Sequence, residues 1–513
     1  MFDPNRPPVI DNNESIAERF VQKIESEKSL EFLKDLFVQL PELEMYLVGG
    51  MVRDTIIEYP TSKDYDFIAR GVDPDKLIDI LKTKGKVSFV GRTFGVLKFR
   101  PHDSTLTEDI DIAFPRTEVS EGTGGYKDVK TTSDHNLPVE EDLRRRDLTI
   151  NAIAWNVQDK IIIDPYNGQL DLEAGIVKTV GDPRKRFQED YSRMLRAIRF
   201  ACRFEFDIDP ETFTAVKELM THINDEREIT MLESLNRKLD KATKQTDIDR
   251  LKKQISKQEN TAPEATMNER IVPMETVTKE ILKTLGKNPV RALEMFERTG
   301  VLSEILPNVA ELKNNPELWE QLQKTLKATS NPEVEMYTQD IELTPACILG
   351  ILMLYASRNA KEFSKLDDFG KSTLGQTLKK MRVDVEDIKM IKSVVGGFEA
   401  IDGPEFEKLT VQEKYLVSEY GSELIAMRFL VSVAEEKDDT VFEDKLRHLY
   451  PLLNNEGELP KPLINGKDII ETLKLKRGGK IIGETLTAVR EEQLQGNIST
   501  REQAIEIIRT YEK

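Results

Sequence analysis

The chain has 513 residues, with 92 Asp and Glu against 74 Lys and Arg, for a net charge of −18. That length exceeds one hydrophobic core, so three or four domains are expected. The charge argues against coating nucleic acid through the whole surface, though not against a local basic groove.

Residues 1–28 read as a polar lead into a first helix. From about 45 to 165 the pattern is mixed: strand-like MYLV, helical VRDTIIE, strand-like DYDFIA, helical DPDKLIDILKTKG, then KVSFV, GVLKFR, DIDIAF and a buried strand TINAIAWN. Turns rich in Gly, Pro and Asp separate these runs, which predicts an α+β unit. From Asp182 onward strand signals nearly vanish and amphipathic helical patterns such as PVRALEMFERTGVLSEIL continue to the end. Residues 223–262 form a charged block without aromatics, which suits a protruding helical hairpin or a partly disordered insertion. The tail carries PLINGKDIIETLKLKRGGKIIGETL, a helix, a basic Gly-containing turn and another helix.

The sequence holds no apolar run of about 18 residues, and MFDPNRPPVIDNNES has no apolar signal core, so a cytoplasmic protein with no membrane contact is expected. Cys202 and Cys347 sit in apolar helical patterns and are expected as buried free thiols, as in a reducing cytosol. The four histidines (His102, His135, His222, His448) are scattered, which argues against a histidine metal site.

Chemistry concentrates in four places. In LVGGMVRD a strand ends at Gly49-Gly50 and a helix begins at once, so backbone N–H groups can approach a phosphate, with Arg53 one turn in. In KDYDF, Asp64 and Asp66 on a strand would point to the same side, about 7 Å apart, and could share divalent cations with a triphosphate. DIDIAF adds Asp109 or Asp111 as a third carboxylate, the set that two-metal phosphoryl transfer with Mg²⁺ needs. In EDLRRRDLTINAIAWN, Arg144, Arg145 and Arg146 could neutralise a triphosphate, while Asp147 could accept from ribose hydroxyls.

RKRFQEDYSRMLRAIRFACRF then inverts the local charge, with seven basic and two acidic side chains between 184 and 203. Arg193, Arg196, Arg199 and Arg203 form one helical stripe, opposite an apolar face of Met194, Leu195, Ile198, Ala201 and Cys202. A like-charged arginine stripe is costly unless phosphates or carboxylates face it. Glu189 and Asp190 lie just ahead, and a carboxylate with an arginine fork could read nucleobase edges.

YLVGGMVRD, KDYDF, PRTE with GTGGY, RRRDLTINAIA, DPYNG and EDYSRMLRAIRFACRF, in that order, resemble the class II tRNA nucleotidyltransferases (CCA-adding enzymes) and their bacterial poly(A) polymerase relatives. The resemblance is dense over roughly 45–206 and weaker over 268–284, 289–307 and 462–486. It implies a nucleotidyltransferase palm with a small mixed or antiparallel sheet, followed by an all-α neck, body and tail. The expected boundaries are 1–180, 181–310, 311–405 and 406–513, with residues 223–262 as an insertion in the neck. Asp64 and Asp66 resemble the Mg²⁺ ligands, and Asp111, which keeps the family's spacing to Arg116, the third catalytic carboxylate. Gly49, Gly50 and Arg53 match triphosphate-contacting positions, and Arg146 with Asp147 the phosphate- and ribose-associated RRD motif. Glu189, Asp190 and Arg193 match the EDxxR element, whose Asp and Arg pair with CTP or ATP; Arg196 and Arg199 match further nucleotide contacts. Asp164 and Gly168 fit an element linked to motion between head and neck.

The implied activity is template-independent addition of CCA from CTP and ATP to tRNA 3′ ends, with pyrophosphate released and no obligate protein partner. Lys474, Lys476, Arg477 and Lys480 would help hold the tRNA. A-adding, CC-adding and poly(A)-forming relatives share the motifs, and a non-catalytic RNA-binding relative is the remote alternative. VGRTFGVLKF leans towards the CCA enzymes, and PACILGILMLYASRNAKEF lacks the histidines of the HD phosphohydrolase domain that many bacterial relatives carry.

Overall fold

The structure is a computed structural model that describes residues 13–60, 64–90, 96–120, 122–125, 128–242, 245–262, 264–330, 343–361, 372–402, 421–435, 462–473, 480–494 and 496–510. Residues 91–95 of VGRTFGVLKF lie outside these, as do Lys474, Lys476, Arg477 and the side chain of Lys480. The chain divides into two compact units, Met1–Lys287 with Glu294–Glu304, and Asn288–Leu293 with Ile305–Lys513.

The first unit is built on a seven-stranded sheet of β1 (Glu44–Val48), β2 (Asp66–Arg70), β3 (Gly85–Val90), β4 (Val96–Pro101), β5 (Ile110–Ala113), β8 (Ala154–Asn156) and β9 (Ile161–Ile163). The strand order is β3-β4-β5-β2-β1-β8-β9. All neighbours run antiparallel except β2 and β5, which are parallel. The mixed α+β expectation therefore holds. Central β1 is buried along Met45–Val48, which explains why MYLV is apolar throughout rather than alternating.

Two layers cover the sheet. Helix α1 (Asn13–Ser26) lays Phe20 flat on Trp155 of β8, with ring centroids 4.6 Å apart, and α2 (Phe32–Gln39) adds Phe32 edge-on to Phe99. Helix α3 (Gly50–Ile56) leaves the end of β1, and α4 (Pro74–Lys84) links β2 to β3. On a second apolar cluster, Val139 and Leu143 of α5 (Val139–Arg144) pack with Tyr46, Val48, Ile68, Ala152 and Ala154.

Further helices follow: α6 (Gly168–Glu173), α7 (Pro183–Glu189), α8 (Ser192–Phe204), α9 (Pro210–Leu219), α10 (Met231–Lys241), α11 (Gln245–Thr261) and α12 (Met274–Leu285). Beyond Asp182 strands are few among the described residues, as expected. Small ribbons remain at β10 (Ile176–Val177) with β11 (Asp207–Ile208), and at β12 (Glu226–Thr230) with β13 (Thr266–Arg270). A further ribbon, β6 (Arg116–Ser120) with β7 (Val129–Ser133), carries the PRTE stretch. The charged block is a helical hairpin: α10 and α11 pack together on the β12–β13 ribbon, with Leu232, Leu235 and Leu239 of α10 and Ile248, Leu251 and Ile255 of α11 each repeating at three and four.

Two expectations need correction. Strand β2 starts at Asp66, so Asp64 and Tyr65 precede it and Asp64 does not share its pleat. TINAIAWN is not one strand, because Thr149–Asn151 form a 3-10 turn and pairing begins only at Ala154. That turn frees the Asn151 side chain to bond neighbours that a strand position would not reach.

In the second unit, helices Pro316–Ala328, Pro345–Ala360, Val385–Asp402 and Gly421–Glu435 pack together; Tyr355 bonds Thr325 across 2.7 Å and Arg358 pairs with Glu435 at 2.6 Å. Near the end of the chain, Ile464, Ile469, Val489, Ile498, Ala504 and Ile508 form a small core. Both cysteines are buried free thiols, as expected. Among the described residues no helix is long and apolar enough to cross a membrane.

Removing the aromatic wedge at the root of α1 should be costly. Phe20→Ala is expected to lower stability by about 3–5 kcal/mol in urea denaturation of the full chain, whereas Val38→Ala, at an exposed site, should stay within about 0.5 kcal/mol.

Candidate active site

The sheet sets two carboxylates side by side. Parallel pairing puts Asp66 of β2 directly across from Asp111 of β5, so both side chains leave the same face, about 4.8 Å apart along the hydrogen-bonding direction. On the next strand Lys98 faces Asp111, and its ammonium donates to Asp111 Oδ1 at 2.8 Å. Asp109 lies outside the strand and pairs instead with Arg100, so Asp111 is the carboxylate beside Asp66.

Asp66 keeps solvent contact, but crowding by protein strips part of its hydration. That crowding first, then the negative charge of Asp111 and more weakly Asp64, push its carboxyl up to about 6, against the pull of Arg146 and Lys98. Among the described residues no group of three or more His, Cys, Asp or Glu side chains gathers into a metal cluster; the acidic centre is the Asp66–Asp111 pair with Asp64 near it.

The glycine turn closes one side of this pair. Gly49 has φ +76°, and a Cβ there would stand 3.4 Å from Asp66 Oδ2 and 3.7 Å from Arg146 Nη1. Only glycine combines that backbone with so close an approach. Arg146 donates to the Asn151 carbonyl and to Asp142, each at 3.3 Å, while its buried Nε has no hydrogen-bond partner. Its neighbours differ: Arg145 is held by Asp142 and Glu118, and Arg144 is exposed.

Arg53 does not reach this surface. It is 3% exposed, donates to Asp54 at 2.7 Å and to Asn151, and lies over the rings of Phe200 and Phe204 at 4.9 and 4.8 Å. The expectation of a phosphate-contacting arginine is replaced by a buried strut under the Gly49-Gly50 turn.

On α8 the predicted apolar face is buried, and the arginine stripe meets carboxylates at every position. Arg193 donates to Glu189 at 2.6 Å, Arg196 to Asp147 at 2.6 Å, Arg199 to Glu280 of α12 at 2.5 Å, and Arg203 to Asp54 at 3.2 Å. Asp147 is fully enclosed, which opposes ionisation, but Arg196, with help from Asn151 and Arg193, outweighs burial and holds the carboxyl down to about 2. Phe200 lies beneath the guanidinium groups of Arg53, Arg196 and Arg199.

Asp190 and Arg193 are adjacent, with Arg193 Nε 3.9 Å from Asp190 Oδ2. The other Asp190 oxygen accepts from the Ser192 amide and hydroxyl, which fixes its direction at the start of α8, and burial pushes the carboxyl up. Asp164 accepts from the amides of Gly168 and Gln169 and so caps α6, giving DPYNG a local structural duty.

Sequence reasoning missed Lys98, Asn151, Phe200 and Glu280. Lys98 alternates within GVLKF opposite DIDIA, a signal that existed; Glu280 lies 81 residues from Arg199, and nothing local marks it.

The site is thus an acidic pair near the starts of two central strands, a glycine turn and an arginine-bearing helix behind them. Residues 45–178 match the poly A polymerase head domain, and residues 366–508 match tRNA nucleotidyltransferase domain 2. Over these stretches the chain is similar to class II tRNA nucleotidyltransferases and bacterial poly(A) polymerases. It is 40% identical over 179 residues to the multifunctional CCA protein of Nitrosococcus oceani (35% of this chain, 40% of that protein), and 36% identical over 197 residues to the CCA-adding enzyme of Bacillus subtilis (37% and 46%). With the multifunctional CCA protein of Neisseria gonorrhoeae it shares 32% identity over 294 residues (57% and 55%), so the chain spans about two fifths to just over half of these relatives. The fold is similar to that of the Thermotoga maritima CCA-adding enzyme complexed with tRNA, with a TM-score of 0.52, 20% identity and coverage of 97% of this chain and 98% of that one.

Breaking a buried pair of the stripe should loosen the unit. Arg199→Ala strands the Glu280 carboxylate and is expected to cost about 3–5 kcal/mol, against about 0.5 kcal/mol or less for Arg144→Ala on the surface, read by chemical denaturation.

Proposed function

We propose that this protein adds CCA to tRNA 3′ ends without a nucleic-acid template, using CTP and ATP and releasing pyrophosphate. The observation that carries the reading is the in-register Asp66–Asp111 pair beside the Gly49 turn and Arg146. The names of its relatives, multifunctional CCA protein and CCA-adding enzyme, support the choice of output. The two buried free thiols support a cytoplasmic setting.

Asp66 and Asp111, with Asp64, are the residues that would hold Mg²⁺. Their donors are all carboxylate oxygens, which suit a hard cation, and burial followed by the charge of Asp111 pushes the Asp66 carboxyl up, an effect a bound cation would offset. When bound, Mg²⁺ supplies activation of the RNA 3′ hydroxyl and neutralisation of the leaving pyrophosphate. The remaining work falls to the chain. Lys98 donates to Asp111 and fixes the direction of its carboxylate. Arg146, with an unused buried Nε, and the amides of Gly49 and Gly50 hold the triphosphate against the glycine turn. Asp190 and Arg193 present one acceptor edge and one donor fork to the base, while Glu189 fixes the orientation of Arg193. Arg196 and Arg199 are steadied by Asp147 and Glu280, and Arg53 props the turn from below.

The test supplies CTP, ATP, GTP and UTP one at a time, and then CTP with ATP, to a tRNA that lacks its last three nucleotides. Two C additions and one A with the CTP–ATP pair are expected; long tails from ATP alone would move the assignment to a poly(A) polymerase. Asp66→Ala should lower incorporation by about 10²–10³-fold or more while tRNA affinity is retained, and unchanged turnover would remove Asp66 from the metal site.

A further inference from the structure

The hairpin of α10 and α11 is taken up by none of the roles above. Its two helices pack together, and Ile248, Leu251 and Ile255 line one side of α11 at helical spacing, with Leu251 buried. The opposite side of α11 carries Arg250, Lys253 and Lys257, spaced by three and four residues, all exposed. From Arg250 to Gln258 there are four cations and no acid, in a chain of net charge −18. Arg250 pairs with Asp247 one turn back, but among the described residues Lys253 and Lys257 make no ion pair. The helix macrodipole does not account for them, because the last turn of α11 has no basic residue and the cations sit mid-helix.

The root of the hairpin stands close to the candidate active site. Arg227 of β12 pairs with the buried Asp128 and, at 3.4 Å, with Glu269 of β13, which also takes Arg237 of α10 at 2.8 Å. Asp128 in turn accepts from Thr123, in the glycine turn of the β6–β7 ribbon. There Gly124 touches the Tyr191 ring and its carbonyl accepts the Tyr191 amide at 2.9 Å, one residue after Asp190.

We infer that this arm is a nucleic-acid grip: the Arg250–Lys253–Lys257 face of α11 binds the phosphodiester backbone of the RNA whose 3′ end is extended, outside the nucleotide site itself. It rests on the reading under Proposed function. Charge complementarity selects the partner, because three cations repeat along one helix face at intervals of about 4.5–6 Å. A lipid surface fits poorly, since the large exposed apolar side chains in this segment are Met231 and Met267, both at the root rather than on the basic face.

The test compares wild type with Arg250→Gln/Lys253→Gln/Lys257→Gln, and with a chain in which an Asn-Gly turn joins Thr230 to Thr266, which are cross-strand partners in the ribbon. Affinity for the shortened tRNA is measured by fluorescence anisotropy from 50 to 300 mM KCl, with incorporation followed at saturating tRNA. Both variants should bind roughly tenfold or more weakly at low salt, with the slope of log Kd against log salt reduced by about 0.7–0.9 per lost contact. Turnover at saturating tRNA should be unchanged. Equal affinity and slope in a wild type that extends tRNA would overturn the arm assignment alone and hand the face to solvent or an acidic protein. A wild type that binds through the arm but extends tRNA with no nucleotide would overturn the CCA reading and leave the arm standing. A wild type that does not bind tRNA would overturn both.

Discussion

The pairing of α8 arginines with carboxylates is the constraint on which the first unit depends. Each arginine is met from a different direction: Glu189 precedes the helix, Asp147 follows α5, Glu280 sits on α12 and Asp54 on α3. Ion pairs this buried add little net stability over apolar packing, because desolvation offsets most of the attraction. What they supply is register. A helix held only by Met194, Leu195, Ile198 and Ala201 could rotate or slide at small cost, whereas a shift of one turn would strand four cations and four anions. Phe200, ringed by Arg53, Arg196 and Arg199, pins the same register from the centre.

Against that compensated stripe the acidic pair stands out. Asp147 and Asp66 belong to the same unit, yet one carboxyl is held down to about 2 and the other pushed up to about 6. Burial works in the same direction on both. The difference lies in partners: Asp147 has Arg196 in direct contact, while Asp66 faces Asp111 and Asp64 with Arg146 and Lys98 too weak to cancel them. Asp147 is neutralised by a cation in contact, whereas Asp66 makes no ion pair among the described residues.

Much of this was legible in the residues. An apolar run located β1, helical spacing located α8, and composition marked the charged block as a hairpin or an insertion; the rule that a stripe of arginines needs anions was correct as chemistry. It could not choose between phosphates and carboxylates, because Glu280 and Asp147 arrive from distant segments by tertiary packing. The parallel pairing of β2 and β5 was equally hidden, since it depends on a crossover through α4, β3 and β4, and it decides that Asp111 rather than Asp109 stands beside Asp66. Arg53 was misplaced for a related reason: one turn into a helix after two glycines, it looks phosphate-bound until Phe200 and Phe204 are seen to enclose it. The β6–β7 ribbon escaped notice because its side chains are mostly polar and half-exposed, so no apolar period marks it.

The helical arm is joined to the rest of its unit through a single ribbon. Its two ends, Thr230 and Thr266, are hydrogen-bonded neighbours across an antiparallel ribbon, so the chain leaves and returns at nearly one point. Lengthening a connection whose ends are already fixed adds only a slowly growing closure entropy. The hairpin also packs α10 against α11, with Leu251 buried. What the insertion could disturb is the ribbon beneath it, and there Arg227 is tied to Asp128 and Glu269 while Gly124, with no room for a Cβ against Tyr191, locks the neighbouring turn to the start of α8. Rigidity is therefore concentrated at the root, next to Asp190 and Arg193, and the cationic face is carried outward, where it can vary without moving the Asp66–Asp111 pair.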